Sequence, residues 1–176
     1  MQALIPYTLP VSGMGIGVHH FDFQVANDFF AAFEDSPVKR GALAAQLDFD
    51  KQSSMYVMEF SFEGTVEVEC NRCLENFSLP VADQARLLVK FGEEPLEADP
   101  DVLYLPYGTV QLNVAQFLYE FILLSIPMAP THDDADEHCD PEMLQFLEPA
   151  PETDRTEVDD DEPGSPWNAL KDFKQS

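Results

Sequence analysis

The chain is poor in positive charge. Of 176 residues only 9 are Lys or Arg, against 33 Asp or Glu, and the formal net charge is −24. Gripping a phosphate backbone takes clustered Lys and Arg. The shortage therefore argues against a protein that coats itself in nucleic acid, and equally against one that docks on an anionic membrane surface. Cationic partners are favoured, and basic proteins are the obvious class. Long hydrophobic runs are missing too. The most apolar stretch, Phe117 to Met128, contains Glu120 and falls well short of the roughly 20 residues a membrane span needs. The N-terminal residues lack the positive region of a secretory signal, and Pro6 breaks their apolar stretch. A soluble, cytoplasmic protein is expected. Cysteine is scarce and odd in number: Cys70, Cys73 and Cys139. That speaks against a disulfide framework and leaves reduced thiols or a metal site.

Catalytic and nucleotide-binding patterns are also lacking. No Ser, Cys or carboxylate dyad stands in a recognisable catalytic frame. The glycines at 13, 15 and 17 precede a strand-like pattern instead of opening a helix, so they do not make a phosphate loop. His19 and His20 are adjacent on that strand and point to opposite faces, which suits one core-facing and one solvent-facing ring.

What is present is enough for a core: 45% of the residues are hydrophobic. The charge is uneven. Residues 1–130 carry 18 acids and 6 bases, residues 131–162 carry 14 acids and 1 base, and residues 163–176 carry 1 acid and 2 bases. This predicts a folded domain over 1–130, an acidic mobile segment over 131–162 and a short amphipathic segment over 163–176.

Within the body, period-two alternation dominates. Ile16–Val25, Gly41–Asp50, Met55–Phe62, Thr65–Cys70 and Phe77–Phe91 read as strands of a half-buried antiparallel sheet, with Val102–Leu105 a further short strand. Pro80 requires its position to be at a strand start or on an edge. Ala26–Glu34 predicts a short helix capped by Asn27, with Phe29, Phe30 and Phe33 on one stripe as core or partner groove. Asn113–Ser125 predicts the main helix, with Asn113 as N-cap and Pro127 beyond its end. The fold class is therefore α+β: a mainly antiparallel sheet or partly closed barrel, one packed helix and a flexible acidic tail.

The residues with chemical content begin at Cys70-Asn71-Arg72-Cys73. A C-x-x-C joining two strands can form a knuckle with both sulfurs on one side, which is half of a tetrahedral zinc site. His138 and Cys139 could supply the other half, with His132 a further possibility, and the acids Asp136, Glu137 and Asp140 would favour a cation's approach. The alternative is that Cys70 is a small buried hydrophobe at a strand end and the thiols are unligated. A thioredoxin-type role is disfavoured, because the pair lacks the strand-to-helix setting that lowers a thiol pKa. Near the C-terminus the acidic run Glu157–Glu162 precedes Pro166-Trp167-Asn168-Ala169-Leu170-Lys171-Asp172-Phe173, which contains the only Trp. Trp167, Leu170 and Phe173 suit about a turn and a half of amphipathic helix, too short to be stable alone. It must dock on the body or bind a partner. Arg72, Trp167, Leu170 and Phe173 are the candidate partner-binding residues.

CNRCLENFSLPV from Cys70, LNVAQFLYEFILLSIPM from Leu112 and CDPEML from Cys139 together resemble the DUF177 family, also called YceD. Its members carry a C-x-R-C-L strand end, a helix ending in L-P-M and a C-terminal D-P-R-[WL]-x-x-L-K segment. Here Ser165-Pro166 stands in place of the Asp-Pro-Arg. Some relatives carry a further Cys pair after the helix, where this chain has Cys139 alone. The resemblance implies a factor needed for accumulation of large-subunit (23S) ribosomal RNA. The expected function is thus a non-catalytic ribosome biogenesis factor that binds a basic ribosomal or assembly protein and touches rRNA indirectly. It has no membrane or DNA partner, and no cofactor beyond a possible zinc ion. The alternative is a metal-dependent RNA-processing enzyme using Cys and His ligands.

Overall fold

The computed structural model describes residues 2–92 and 102–145. Strand β1 (Thr8–Leu9) follows a 3-10 turn over Gln2–Tyr7, and β2 (Gly17–Val25) leads into a single helical turn, α1 (Asn27–Phe30). Then come β3 (Gly41–Lys51), β4 (Met55–Glu69), β5 (Asn76–Phe91), β6 (Val102–Leu105) and β7 (Leu112–Asn113). Helix α2 (Ala115–Leu124), a second 3-10 turn (His132–Ala135) and α3 (Pro141–Leu144) complete the described chain.

The strands form an open five-stranded sheet in the order β2-β3-β4-β5-β6, antiparallel except for the β5–β6 pair, and a separate β1–β7 ribbon. The α+β class with a mainly antiparallel sheet is the one expected, and the described strands do not close into a barrel. Its core is one-sided, as the alternation requires. Leu43, Ala45, Leu47 and Phe49 of β3 and Met58, Phe60, Phe62 and Val66 of β4 are buried on one face. Ala44, Gln46, Asp48, Glu59 and Glu63 stand exposed on the other. Helix α2 covers the apolar face with Leu118 and Ile122, and Phe121 meets the Phe60 ring at 5.3 Å between centroids. Each fully buried Phe or Leu here contributes about 1.5–3 kcal/mol.

The two strands expected over 55–62 and 65–70 are one continuous strand, because Gly64 carries the alternation through. It sits at φ +154° where β3 crosses closely, and a Cβ on it would lie 2.2 Å from the Ala42 carbonyl oxygen. Pro80 is exposed and pairs with Thr65 on β4, while the parallel partner β6 meets β5 only over Leu88–Phe91. The missing N–H therefore falls where β5 has no second strand beside it among the described residues. Two caps differ in detail from expectation. The Asn27 side chain accepts the Gly41 N–H instead of capping α1. Asn113 lies one residue ahead of the N-cap, yet its side chain accepts the Ala115 N–H at 3.0 Å. Asn113 also donates to Leu4 O and Thr8 Oγ1, so the β1–β7 ribbon staples the N-terminal turn to the start of α2.

Candidate metal centre

The hairpin β4–β5 ends in a six-residue knuckle, Cys70–Glu75. Its hydrogen bonds are local: Cys70 N–H donates to Glu75 O and Leu74 N–H to Cys70 O, both at 2.9 Å. Leu74 takes φ +65° to close the turn. The Arg72 N–H donates to Cys70 Sγ at 3.4 Å. Backbone donors that point at a sulfur hold it in place and stabilise its thiolate.

The chain after α2 returns to this knuckle. Asn71 N–H donates to Pro130 O at 2.8 Å. Thr131 N–H donates to the Asp134 carboxylate at 2.7 Å, which fixes the start of the 3-10 turn and sets His132 at its first position. Asp136 adopts the left-handed conformation, and the Glu137 N–H donates to His132 O, bringing Cys139 back beside the ring. Arg72 meets Asp133 at 2.8 Å across the join. Residues 131–139, placed beyond the body by composition, thus lie against the hairpin tip.

Four side chains converge there: Cys70, Cys73, His132 and Cys139. All four are buried, and their ligand atoms lie within 4.8 Å of one another. Cys70 and Cys139 sulfurs are 3.7 Å apart, and His132 Nδ1 is 3.4 Å from the Cys73 sulfur and 3.6 Å from that of Cys139. Tetrahedral zinc with bonds of about 2.3 Å to sulfur and 2.0–2.1 Å to nitrogen separates its ligands by about 3.8 Å (S to S) and about 3.6 Å (S to N). The spacing fits that ion, and three thiolates with one imidazole form a recognised structural set. The Phe77 ring, 4.6 Å from the imidazole centroid, supports the His132 ring from one side.

The thiols are set against one another without a cation. Burial opposes ionisation of Cys70, but the N–H groups of Cys73 and Arg72 and the His132 ring outweigh it and lower its pKa to about 6. Burial raises Cys139, and the neighbouring Cys70 and Cys73 sulfurs add to it, so that its pKa is pushed up to about 11. A like charge 3.7 Å away resists a second thiolate, and a divalent cation removes that conflict.

Three of the four expected ligands, Cys70, Cys73 and Cys139, meet here. The structure does not bring His138 with them. It is exposed, and the fourth member is His132. His132 is held at the start of the 3-10 turn by the Thr131–Asp134 cap, facing the knuckle, whereas the His138 ring stands out from the segment that carries Cys139 back. Arg72 is engaged with Asp133. Trp167, Leu170 and Phe173 lie outside the described residues.

Against known protein families, residues 58–174 match the one described as large ribosomal RNA subunit accumulation protein YceD. No curated protein and no solved structure matches the chain. The matched span is about two thirds of the sequence and takes in the β4–β5 hairpin from Met58, helix α2 and all four side chains of the cluster. The chain belongs to the YceD family.

Proposed function

We propose that this protein is a non-catalytic, cytoplasmic factor of large-subunit ribosome assembly that supports 23S rRNA accumulation by binding basic ribosomal or assembly proteins. The observation that carries this reading is the state of its few cations. Among the described residues six Lys and Arg stand against nineteen Asp and Glu. Four of the six are already engaged. Arg40 pairs with Glu67, Arg72 with Asp133 and Arg86 with Glu59, and Lys51 donates to the Val11 and Met14 carbonyls. A surface of this kind repels phosphate and attracts a cationic protein.

A zinc ion on Cys70, Cys73, His132 and Cys139 has a structural role in this reading. Four protein donors close a tetrahedral sphere, whereas catalytic zinc keeps a position open for water. The ion ties the hairpin tip to the chain that follows α2. The test is capture by the full-length, zinc-loaded protein, using purified large-subunit ribosomal proteins and purified 23S rRNA as separate baits. Capture of basic proteins at low salt, weakening as screening shortens at high salt, is expected. Capture of free rRNA in their place, or cleavage of it, would overturn the reading.

A further inference from the structure

A groove of about 480 Å³ runs between the end of α2, the loop after it and the knuckle end of β4. Val68, Leu124, Ile126, Pro127 and Met128 line it, and Glu69 is the one charged residue in its walls. Leu124 is 79% exposed and Met128 fully so. Large apolar side chains gathered this way on the surface of an otherwise acidic protein mark a binding site.

We propose that the occupant is the chain's own C-terminal segment, Pro166–Phe173. Its composition complements the groove: Trp167, Leu170 and Phe173 recur at the spacing of one helical side, and the segment is too short to hold a helix without a surface to lie on. Charge adds to this: residues 163–176, with Lys171 and Lys174 against Asp172, carry net +1, against −12 over 1–130 and −13 over 131–162, and Glu69 stands in the groove wall. Reach is ample. The described chain ends at Gln145, 22 residues before Trp167, a span of up to roughly 70 Å when extended. A folded unit of this size has a radius of gyration of roughly 15 Å. A tether of this kind gives an effective concentration on the order of 1 mM, so an intrinsic Kd near 0.1 mM would leave the segment docked about nine-tenths of the time. This goes beyond the assembly reading and draws on neither the metal nor the partner.

Trp167 is the sole Trp, so its fluorescence reads the docking directly in the full-length protein. The expected emission is blue-shifted relative to the denatured chain, poorly quenched by acrylamide and independent of protein concentration. Leu124→Lys and Met128→Lys, both at exposed sites, and Leu170→Asp on the segment each move the emission to that of a solvated indole, with an unchanged urea midpoint and a far-UV change no larger than the loss of one short helix. Solvated emission in the unmodified chain overturns the proposal. So does emission indifferent to all three substitutions. A blue shift that grows with concentration also overturns it, by seating the segment on a second copy.

Discussion

Replacing His132 and His138 separately by Ala divides the four-ligand assignment from its nearest competitor. A cation shared by the knuckle and His132 closes a loop of roughly 60 residues, from Cys73 to His132, and the constraint on the unfolded chain is worth about 4 kcal/mol. For a domain of this size each kcal/mol moves Tm by about 3 °C. Cys139 closes nearly the same loop, so about 12 °C is the upper limit of what His132→Ala should lose in zinc from the linkage, reached when the three remaining thiolates no longer hold the ion. The buried ring beside Phe77 adds a packing loss of about 1–3 kcal/mol, which persists when the metal is removed. In chelator, then, the gap between His132→Ala and the parent narrows to that packing loss. His138→Ala, at an exposed position, should stay within about 0.5 kcal/mol of the parent in both conditions. Thermal and urea unfolding followed by circular dichroism, with zinc and with chelator, gives all the numbers. The reasoning is refuted if His138→Ala abolishes the zinc-dependent gain while His132→Ala keeps it.

Other perturbations have equally definite outcomes. Gly64→Val places a Cβ 2.2 Å from the Ala42 oxygen at a positive φ, and a loss of about 3 kcal/mol or more is expected in the urea midpoint. Phe49→Ala, in the middle of the buried face, should cost about 3–5 kcal/mol, whereas Ala44→Ser on the exposed face should change stability by less than about 0.5 kcal/mol. In the metal-free protein two thiols contribute opposite pH dependences below about pH 11. Cys70, depressed from 9.0 to about 6 in the fold, makes stability rise as pH climbs through that interval. Cys139, raised from 9.0 to about 11, makes it fall as pH climbs from there. Unfolding midpoints in chelator should thus be highest near pH 9, and a monotonic profile across that range would count against the opposed thiols.

Much of the sheet was legible because its chemistry is local. β3 reads Leu43, Ala45, Leu47, Phe49 on one side and Ala44, Gln46, Asp48 on the other, and a period of two leaves no alternative to a half-buried strand. Helix α2 announced itself by Val114, Phe117, Leu118, Phe121, Leu124 and Ser125 at helical spacing and by Asn113 before it, although Leu124 proves exposed and Ile122 takes the buried place. The β1–β7 ribbon was not legible: two residues per strand carry no period, and its partners are about a hundred positions apart. The strand β6 was legible but its parallel pairing was not, because alternation marks a strand and not the direction of its neighbour. At the Cys70–Cys73–His132–Cys139 cluster the knuckle was visible and the return path was not. The signal was nonetheless present. Thr131 and Asp134 make an N-terminal cap that puts His132 at the start of a turn.

The most direct measurement is metal content together with X-ray absorption at the zinc edge on the full-length protein. One zinc per chain, with three sulfurs at about 2.3 Å and one nitrogen at about 2.0–2.1 Å, is the result this account predicts. A chain that stays metal-free in saturating zinc, or a coordination sphere made mostly of oxygen, would contradict it.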